Sequence, residues 1–196
     1  MASTDHPSPA AGNASSTTPG GHQLSVDERI AKAAELKAEG NARFAADDLD
    51  AALKAWHHAL LYSAGINSFS TLYGSRSTDE QNRKAEEITR AVWNNMAACY
   101  LRREQWDKAV LVTTKVLNSD PKNLKALYRR TQAHLALGST QNAAKDLDVA
   151  LDKSPNDPAV RKLAEELVKL VEKNEAEQSA ATTEATIAEI VDDGPP

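Results

Sequence analysis

Two pairs of polar side chains have a spacing that could bind an anion. Lys125 and Arg129 form one pair, and Lys37 and Asn41 form the other. Residues four apart lie on one face of an α-helix, so each pair would present its nitrogen donors together. Ammonium, guanidinium and amide groups all donate hydrogen bonds to carboxylate oxygens, and the charged donors bind them more strongly. The spacing predicts a carboxylate-binding site if helices bring the two pairs together.

The composition of the chain favours the helices that such a site requires. Of the 196 residues, 41% are hydrophobic, 26% are charged and only 5% are aromatic. Such a chain is long enough for one sizeable core and is richer in helix-forming than in strand-forming residues. Ser25 to Glu28 has the Ser-x-x-Glu form of a helix N-terminal capping box. We therefore predict one all-α domain that begins at this box.

The charge distribution excludes several classes of partner. The net charge is −5, and residues 177–196 account for all of it with five acidic residues and no Lys or Arg. The neutral remainder gives no basic surface for nucleic acid or an anionic membrane. No apolar run approaches the roughly 18 residues of a membrane helix, and Cys99, the only cysteine, excludes an internal disulfide. We expect a monomer in the cytoplasm, with the nucleus as the alternative.

The helical part of the sequence repeats itself. Pro121 and Pro155 each follow a second helix. Ala109 and Ala143 have the same separation as the two prolines, and each falls where two helices of a pair must approach closely. A fixed period that spans a helix pair indicates a stack of such pairs, because one pair cannot bury its own apolar face.

The chain resembles the tetratricopeptide-repeat family, whose period of about 34 residues equals the separation of the two prolines. With repeat starts at Ala33, Arg90 and Leu124, large, small and aromatic residues recur at the packing positions of the family. These residues are Leu36, Gly40, Ala52, Trp56 and Ala59 in the first repeat, Trp93, Ala97, Tyr100, Ala109 and Pro121 in the second, and Leu127, Ala143, Leu147, Ala150 and Pro155 in the third. Ala64 and Thr131 depart from the pattern. The resemblance implies a right-handed superhelix whose first helices line a concave groove.

The repeats and their flanks divide the chain into regions. The first two starts are farther apart than one repeat period, so an insertion lies between these repeats. The polar ends cannot bury enough apolar surface to become ordered. We predict a disordered tail at 1–24, a domain at 25–175 with repeats over about 33–62, 90–123 and 124–157, an inserted loop over about 63–84, a capping helix over about 158–175, and a disordered acidic tail at 176–196.

Five positions match the dicarboxylate-clamp subset of the family. They are Lys37, Asn41, Asn95, Lys125 and Arg129, called the clamp residues below. The resemblance implies that they grip the C-terminal Glu-Glu-Val-Asp of the seventy- and ninety-kilodalton heat-shock chaperones. A terminal aspartate has two carboxylates close together, and holding both needs several converging donors. A free C-terminus is then required, because an amide cannot replace the carboxylate.

Four more residues are expected to face the same groove. Phe44, Ala98 and Leu101 would pack on an apolar side chain of the ligand, and Arg102 would meet an upstream acidic one. The stretches around Asn95 and Lys125 are most similar to the repeat domain of the large immunophilin co-chaperones.

We predict a co-chaperone or adaptor without enzymatic activity. The large immunophilins carry a prolyl-isomerase domain, but only 24 residues precede the capping box here, so we do not expect that activity. One alternative is a repeat scaffold for an unrelated protein ligand. The other is the regulatory fragment of a larger enzyme of the prolyl-isomerase type.

Other reactive residue types lack the spacing of a site. His57 and His58 are adjacent and point to different sides of a helix, so they cannot chelate one metal ion. Cys99 and His134 fall at packing positions. With no Gly-rich phosphate loop, catalytic grouping or zinc spacing, we expect no metal, cofactor or active site. The segment from Glu189 to Asp192 resembles the expected ligand, but it is internal and is interpreted as part of the acidic tail.

Overall fold

The computed structural model describes residues 24–64, 66 and 77–192, and side chains through residue 183. Within these ranges the secondary structure consists of helices, with no strand, as the composition predicts. The helices are α1 (Val26–Ala45), α2 (Leu49–Ser63), α3 (Asp79–Arg102), α4 (Trp106–Ser119), α5 (Leu124–Ala136), α6 (Thr140–Lys153) and α7 (Pro158–Asp192).

Local sequence signals set where several helices begin. The predicted capping box is present at α1, where Ser25 accepts a hydrogen bond from the backbone of Glu28 and the Glu28 carboxylate accepts one from Ser25. Asp48 caps α2 and Asn123 caps α5 through their side-chain oxygens. These caps satisfy backbone N–H groups that have no partner inside the helix.

The turn inside each helix pair is built in the same way. One residue in each turn has a positive φ, at Asp47 (64°), Glu104 (56°) and Gly138 (69°). Glu104 and Gly138 are one repeat period apart, and Asp47 and Glu104 have the separation of the first two repeat starts. The three turns therefore occupy one position of the repeat, although only the third has glycine, the residue that favours this conformation.

Small residues allow the two helices of each pair to approach closely. Ala52, Ala109 and Ala143 occupy one repeat position on the second helices, and all three have 0% of their surface exposed. In the first pair, Gly40 of α1 lies against the indole ring of Trp56 on α2. The close approach at these positions follows from side chains too small to separate the backbones.

The helix pairs stack so that their first helices are neighbours. Helix α1 contacts α3, α3 contacts α5, and α5 contacts α7. A partly buried ion pair joins α5 to α6, in which Arg130 donates two hydrogen bonds to the Asp146 carboxylate at 2.7 and 2.6 Å. The side chains of α1, α3, α5 and α7 thus share one face of the molecule.

Two predicted boundaries differ from the structure. The expected loop over 63–84 ends earlier, because α3 begins at Asp79 behind a second capping box formed by Thr78 and Gln81. The expected capping helix at 158–175 and disordered tail at 176–196 are replaced by one helix that continues to Asp192. No Gly or Pro lies between Pro158 and Gly194, so the sequence contains no signal that would stop the helix.

Other expectations about the ends and the insertion concern residues outside the described ranges. These are the predicted disorder of 1–23 and of 193–196, and the loop residues 65 and 67–76. Among the helices that are described, none has the length and hydropathy of a membrane span.

Candidate carboxylate-binding groove

A pair of side-chain amides joins α1 to α3 in the shared face. The Nδ2 of Asn95 donates to the Oδ1 of Asn41 at 2.7 Å, and the indole Nε1 of Trp56 donates to the same oxygen at 3.2 Å. An indole N–H can only donate, so it identifies the oxygen of the Asn41 amide. Both acceptor positions of this oxygen are occupied, and the NH₂ group of Asn41 is left as a donor for a ligand.

Arg129 of α5 is hydrogen-bonded to α3, one of these two helices. Its Nη1 donates to the backbone carbonyl of Asn94 at 2.7 Å, directly before Asn95. Burial lowers the pKa of the guanidinium, although an arginine stays charged in proteins. In the part of the chain that the structure describes, no carboxylate lies close enough to form an ion pair with it. A half-buried cation without a counter-ion favours an anionic ligand.

The two clamp lysines are also available to a ligand. Lys37 is half-buried and Lys125 is exposed, and neither forms an ion pair with a described residue. Lys125 and Asn95 line one cavity of about 340 Å³ between α3 and the turn that precedes α5. Lys37 lies one helical turn before Asn41 and shares its face by helix geometry.

A second, larger cleft has a volume of about 720 Å³. Its lining includes Arg129 and all four expected groove contacts, Phe44, Ala98, Leu101 and Arg102. We call it the apolar cleft, because most of its side chains are hydrocarbon.

Arg102 in this cleft has partners within the protein. Its guanidinium forms an ion pair with Asp47 at 2.6 Å and lies 5.0 Å from the centre of the Phe44 ring. Both members of the ion pair are largely exposed, so its contribution to stability is small, at most about 1 kcal/mol. Arg102 can therefore exchange Asp47 for an acidic side chain of a ligand at little cost.

The structure adds cleft residues that the sequence interpretation missed. They are Trp106, Gln132, Leu135 and Ala136, together with Glu166 and Leu170 of α7. Gln132 and Ala136 follow Arg129 by three and seven residues, so helical spacing could have indicated them. The two α7 residues could not be found in this way, because their position depends on how α7 packs against α5.

The remaining reactive residues are part of the packing. Cys99 is fully buried, and burial raises the pKa of its thiol, which lowers its reactivity. Burial lowers the pKa of His134, because it disfavours the charged imidazolium. The described residues contain no group of His, Cys, Asp and Glu that could hold a metal ion.

The chain is similar in sequence to part of a known isomerase. No family model matches the chain. It is 32% identical over 157 residues to the peptidyl-prolyl cis-trans isomerase FKBP42 of Arabidopsis thaliana, covering 78% of this chain and 40% of that protein. The chain therefore spans less than half of the length of this relative.

Two solved structures have the same architecture. The C-terminal TPR-containing domain of a Plasmodium falciparum FK506-binding protein matches with a TM-score of 0.67 and 25% identity, over 78% of this chain and 97% of that one. The myosin chaperone UNC-45 of C. elegans, in complex with a Hsp90 peptide, matches with a TM-score of 0.58 and 28% identity, over 78% of this chain and 15% of that one.

The chain has the fold of tetratricopeptide-repeat domains, as its repeat period, its three matching turns and these structures show. Within this class it is similar to the repeat domains of FK506-binding immunophilins and of chaperones that bind Hsp90 peptides.

Proposed function

We propose that this protein is an adaptor or co-chaperone that binds the C-terminal Glu-Glu-Val-Asp of seventy- or ninety-kilodalton heat-shock chaperones. The observation that carries the proposal is the fixed amide pair of Asn41 and Asn95, flanked by Arg129 and Lys125, neither of which forms an ion pair with a residue that the structure describes. This arrangement offers several converging donors to the two carboxylates of a terminal aspartate.

The energies are of the right size for a peptide-binding site. A hydrogen bond to a charged group contributes on the order of 1.5–3 kcal/mol. A ligand bound at about micromolar level has a binding free energy near 8 kcal/mol. A few bonds to the clamp residues therefore supply most of the affinity, and the apolar cleft supplies contacts for upstream residues.

The proposal includes no catalytic step. The similar solved structures are interaction domains. One relative is named as an isomerase, but this chain covers only 40% of that protein. We further infer a cytoplasmic site of action. It is supported by the single free thiol, which is typical of a reducing compartment.

Replacement of individual clamp residues tests this function. A labelled peptide ending in Glu-Glu-Val-Asp should bind the unmodified chain at about micromolar level. Lys125→Ala and Arg129→Ala should each weaken binding at least tenfold, because tenfold corresponds to about 1.4 kcal/mol, less than one charged hydrogen bond. Fluorescence anisotropy gives the affinities, and circular dichroism shows whether the variants remain folded.

Lys54→Ala is the matched control for these variants. Lys54 is an exposed lysine on the second helix α2 and forms no ion pair with a described residue. Its replacement should leave the affinity unchanged. The proposal is wrong if Lys125→Ala and Arg129→Ala bind the peptide as tightly as Lys54→Ala does.

A further inference from the structure

Asn94, the residue before the clamp residue Asn95, contacts α5 through both its backbone and its side chain. Its carbonyl accepts the hydrogen bond from Arg129 described above, and its Nδ2 donates to the Oδ1 of Asn123 at 3.4 Å. The same Asn123 oxygen caps α5 by accepting from the backbone N–H of Ala126 at 3.1 Å. Because the cap fixes that acceptor, Asn94 presents its NH₂ group to it, and its own oxygen faces another direction.

The oxygen of the Asn94 amide is buried without a hydrogen bond. Only 7% of the residue surface is exposed, and no residue that the structure describes donates to its Oδ1. A buried acceptor without a donor destabilises the fold, so each such atom in a native protein needs a reason. Asn94 lines the cavity of about 340 Å³ that the clamp residues Asn95 and Lys125 also line. The unpaired acceptor therefore belongs to the wall of the clamp.

Two cations border this cavity, Arg90 and Lys125. Arg90 lies one turn before Asn94 on α3 and also lines a neighbouring cavity of about 220 Å³. Long side chains on a helix lean toward its N-terminus, so Arg90 leans away from Asn94. Lys125 is in the first turn of α5 on the opposite wall, and by the same rule it leans toward the turn at Asn123, where the Asn94 amide lies. Lys125 is thus the better placed donor.

We propose that Asn94 is a positioning residue of the clamp, and that its Oδ1 accepts a hydrogen bond from the Lys125 ammonium when the ligand binds. An ammonium has three N–H donors, so two remain for the carboxylates of the ligand. The bond restricts a flexible side chain in the orientation that binding requires, and it gives the buried oxygen a donor. This inference rests on the proposed function, because Lys125 must be a residue that holds the ligand.

A double-mutant cycle tests whether Asn94 acts through Lys125. Asn94→Leu removes the oxygen and nearly keeps the size of the side chain. It should weaken binding of a Glu-Glu-Val-Asp peptide about fivefold, the effect expected for one hydrogen bond. In the Lys125→Ala background the same substitution should change the affinity by less than about twofold, because no ammonium remains to be positioned. Isothermal titration calorimetry measures the affinities of all four proteins.

Stability distinguishes this role from a purely structural one. Asn94→Leu removes an unpaired buried acceptor and only one long hydrogen bond, and the Asn123 oxygen still caps α5. The variant should therefore unfold at the same or a higher urea concentration while its affinity for the peptide falls. A residue that only held α3 against α5 would lose stability and affinity together. Asn94→Ala removes the same oxygen without adding carbon atoms and completes the cycle if leucine does not fit.

Asn142→Leu is the matched control. Asn142 is an exposed asparagine on the second helix α6, and it forms no hydrogen bond with a side chain that the structure describes. Its replacement should leave the peptide affinity unchanged with or without Lys125. Peptide binding by Asn94→Leu as tight as by Asn142→Leu, or an equal loss of affinity in the two backgrounds, would overturn the inference.

The same measurements separate this inference from the proposed function. If the peptide binds and Lys125→Ala weakens it, but Asn94→Leu does not, only the role of Asn94 is wrong. If the peptide does not bind, or binds Lys125→Ala as tightly as the unmodified chain, both the clamp and the role of Asn94 are wrong.

Discussion

At the scale of single residues, Asn41 shows how packing can fix the direction of an amide. Its oxygen accepts hydrogen bonds from Trp56 and Asn95, so only its NH₂ group can face a ligand. The sequence indicated Asn41 and Asn95 through a family pattern, but not the indole that orients them. That contact joins residues 15 positions apart on two helices, and helical spacing on one helix cannot reveal it.

Asn41→Asp should weaken peptide binding strongly, with little effect on the fold. The aspartate has the same shape and can still accept both hydrogen bonds, but its second oxygen would face the carboxylates of the ligand. Loss of one donor and addition of a like charge should weaken binding at least tenfold, or about 1.4 kcal/mol. Asn174→Asp, on an exposed part of α7, is the control for the added charge. Peptide affinity within twofold of the unmodified chain would contradict this role of Asn41.

At the scale of helices, the sequence predicted most elements but not all of their ends. The capping box at Ser25 located the start of the domain, and the repeat period located the helix pairs. The start of α3 was missed, although Thr78 and Gln81 form a capping box that is visible in the sequence. The length of α7 was missed because the acidic end of the chain was predicted to bury too little apolar surface to become ordered.

The α1–α2 pair depends on the absence of a side chain at Gly40. A Cβ atom at this position would overlap the indole ring of Trp56. Gly40→Ala should therefore destabilise the protein by about 1–3 kcal/mol. Alanine is more favourable than glycine in a helix by about 1 kcal/mol, and this gain offsets only part of the destabilisation. The indole also holds Asn41, so peptide affinity should fall as well.

Urea denaturation measures the effect of Gly40→Ala on the free energy of unfolding. Glu39→Ala is the comparison, because Glu39 is exposed on the same helix and its ion pair with Arg43 is long, at 3.8 Å. It should change stability by less than about 0.5 kcal/mol. A Gly40→Ala protein as stable as Glu39→Ala would show that the two helices can separate without cost.

At the scale of the whole molecule, the stacking of the helix pairs brings polar residues from three helices together into one site. Two polar residues on α1, one on α3 and two on α5 are ordinary surface positions when each helix is considered alone. The repeat period predicted that the three helices would be neighbours, and the contacts of α1 with α3 and of α3 with α5 agree. The part of the apolar cleft that α7 forms could not be predicted, because the capping helix lies outside the repeat and has no position in the pattern.

The most direct test of the clamp is the chemistry of the ligand's own terminus. Two peptides ending in Glu-Glu-Val-Asp, one with a free C-terminal carboxylate and one with a C-terminal amide, should be titrated into the full chain. The amide replaces a charged acceptor by a neutral group with donors that face Lys125 and Asn41. We predict binding of the free peptide at about micromolar level, near 8 kcal/mol, and no measurable binding of the amide. Equal affinity for the two peptides would contradict the carboxylate clamp.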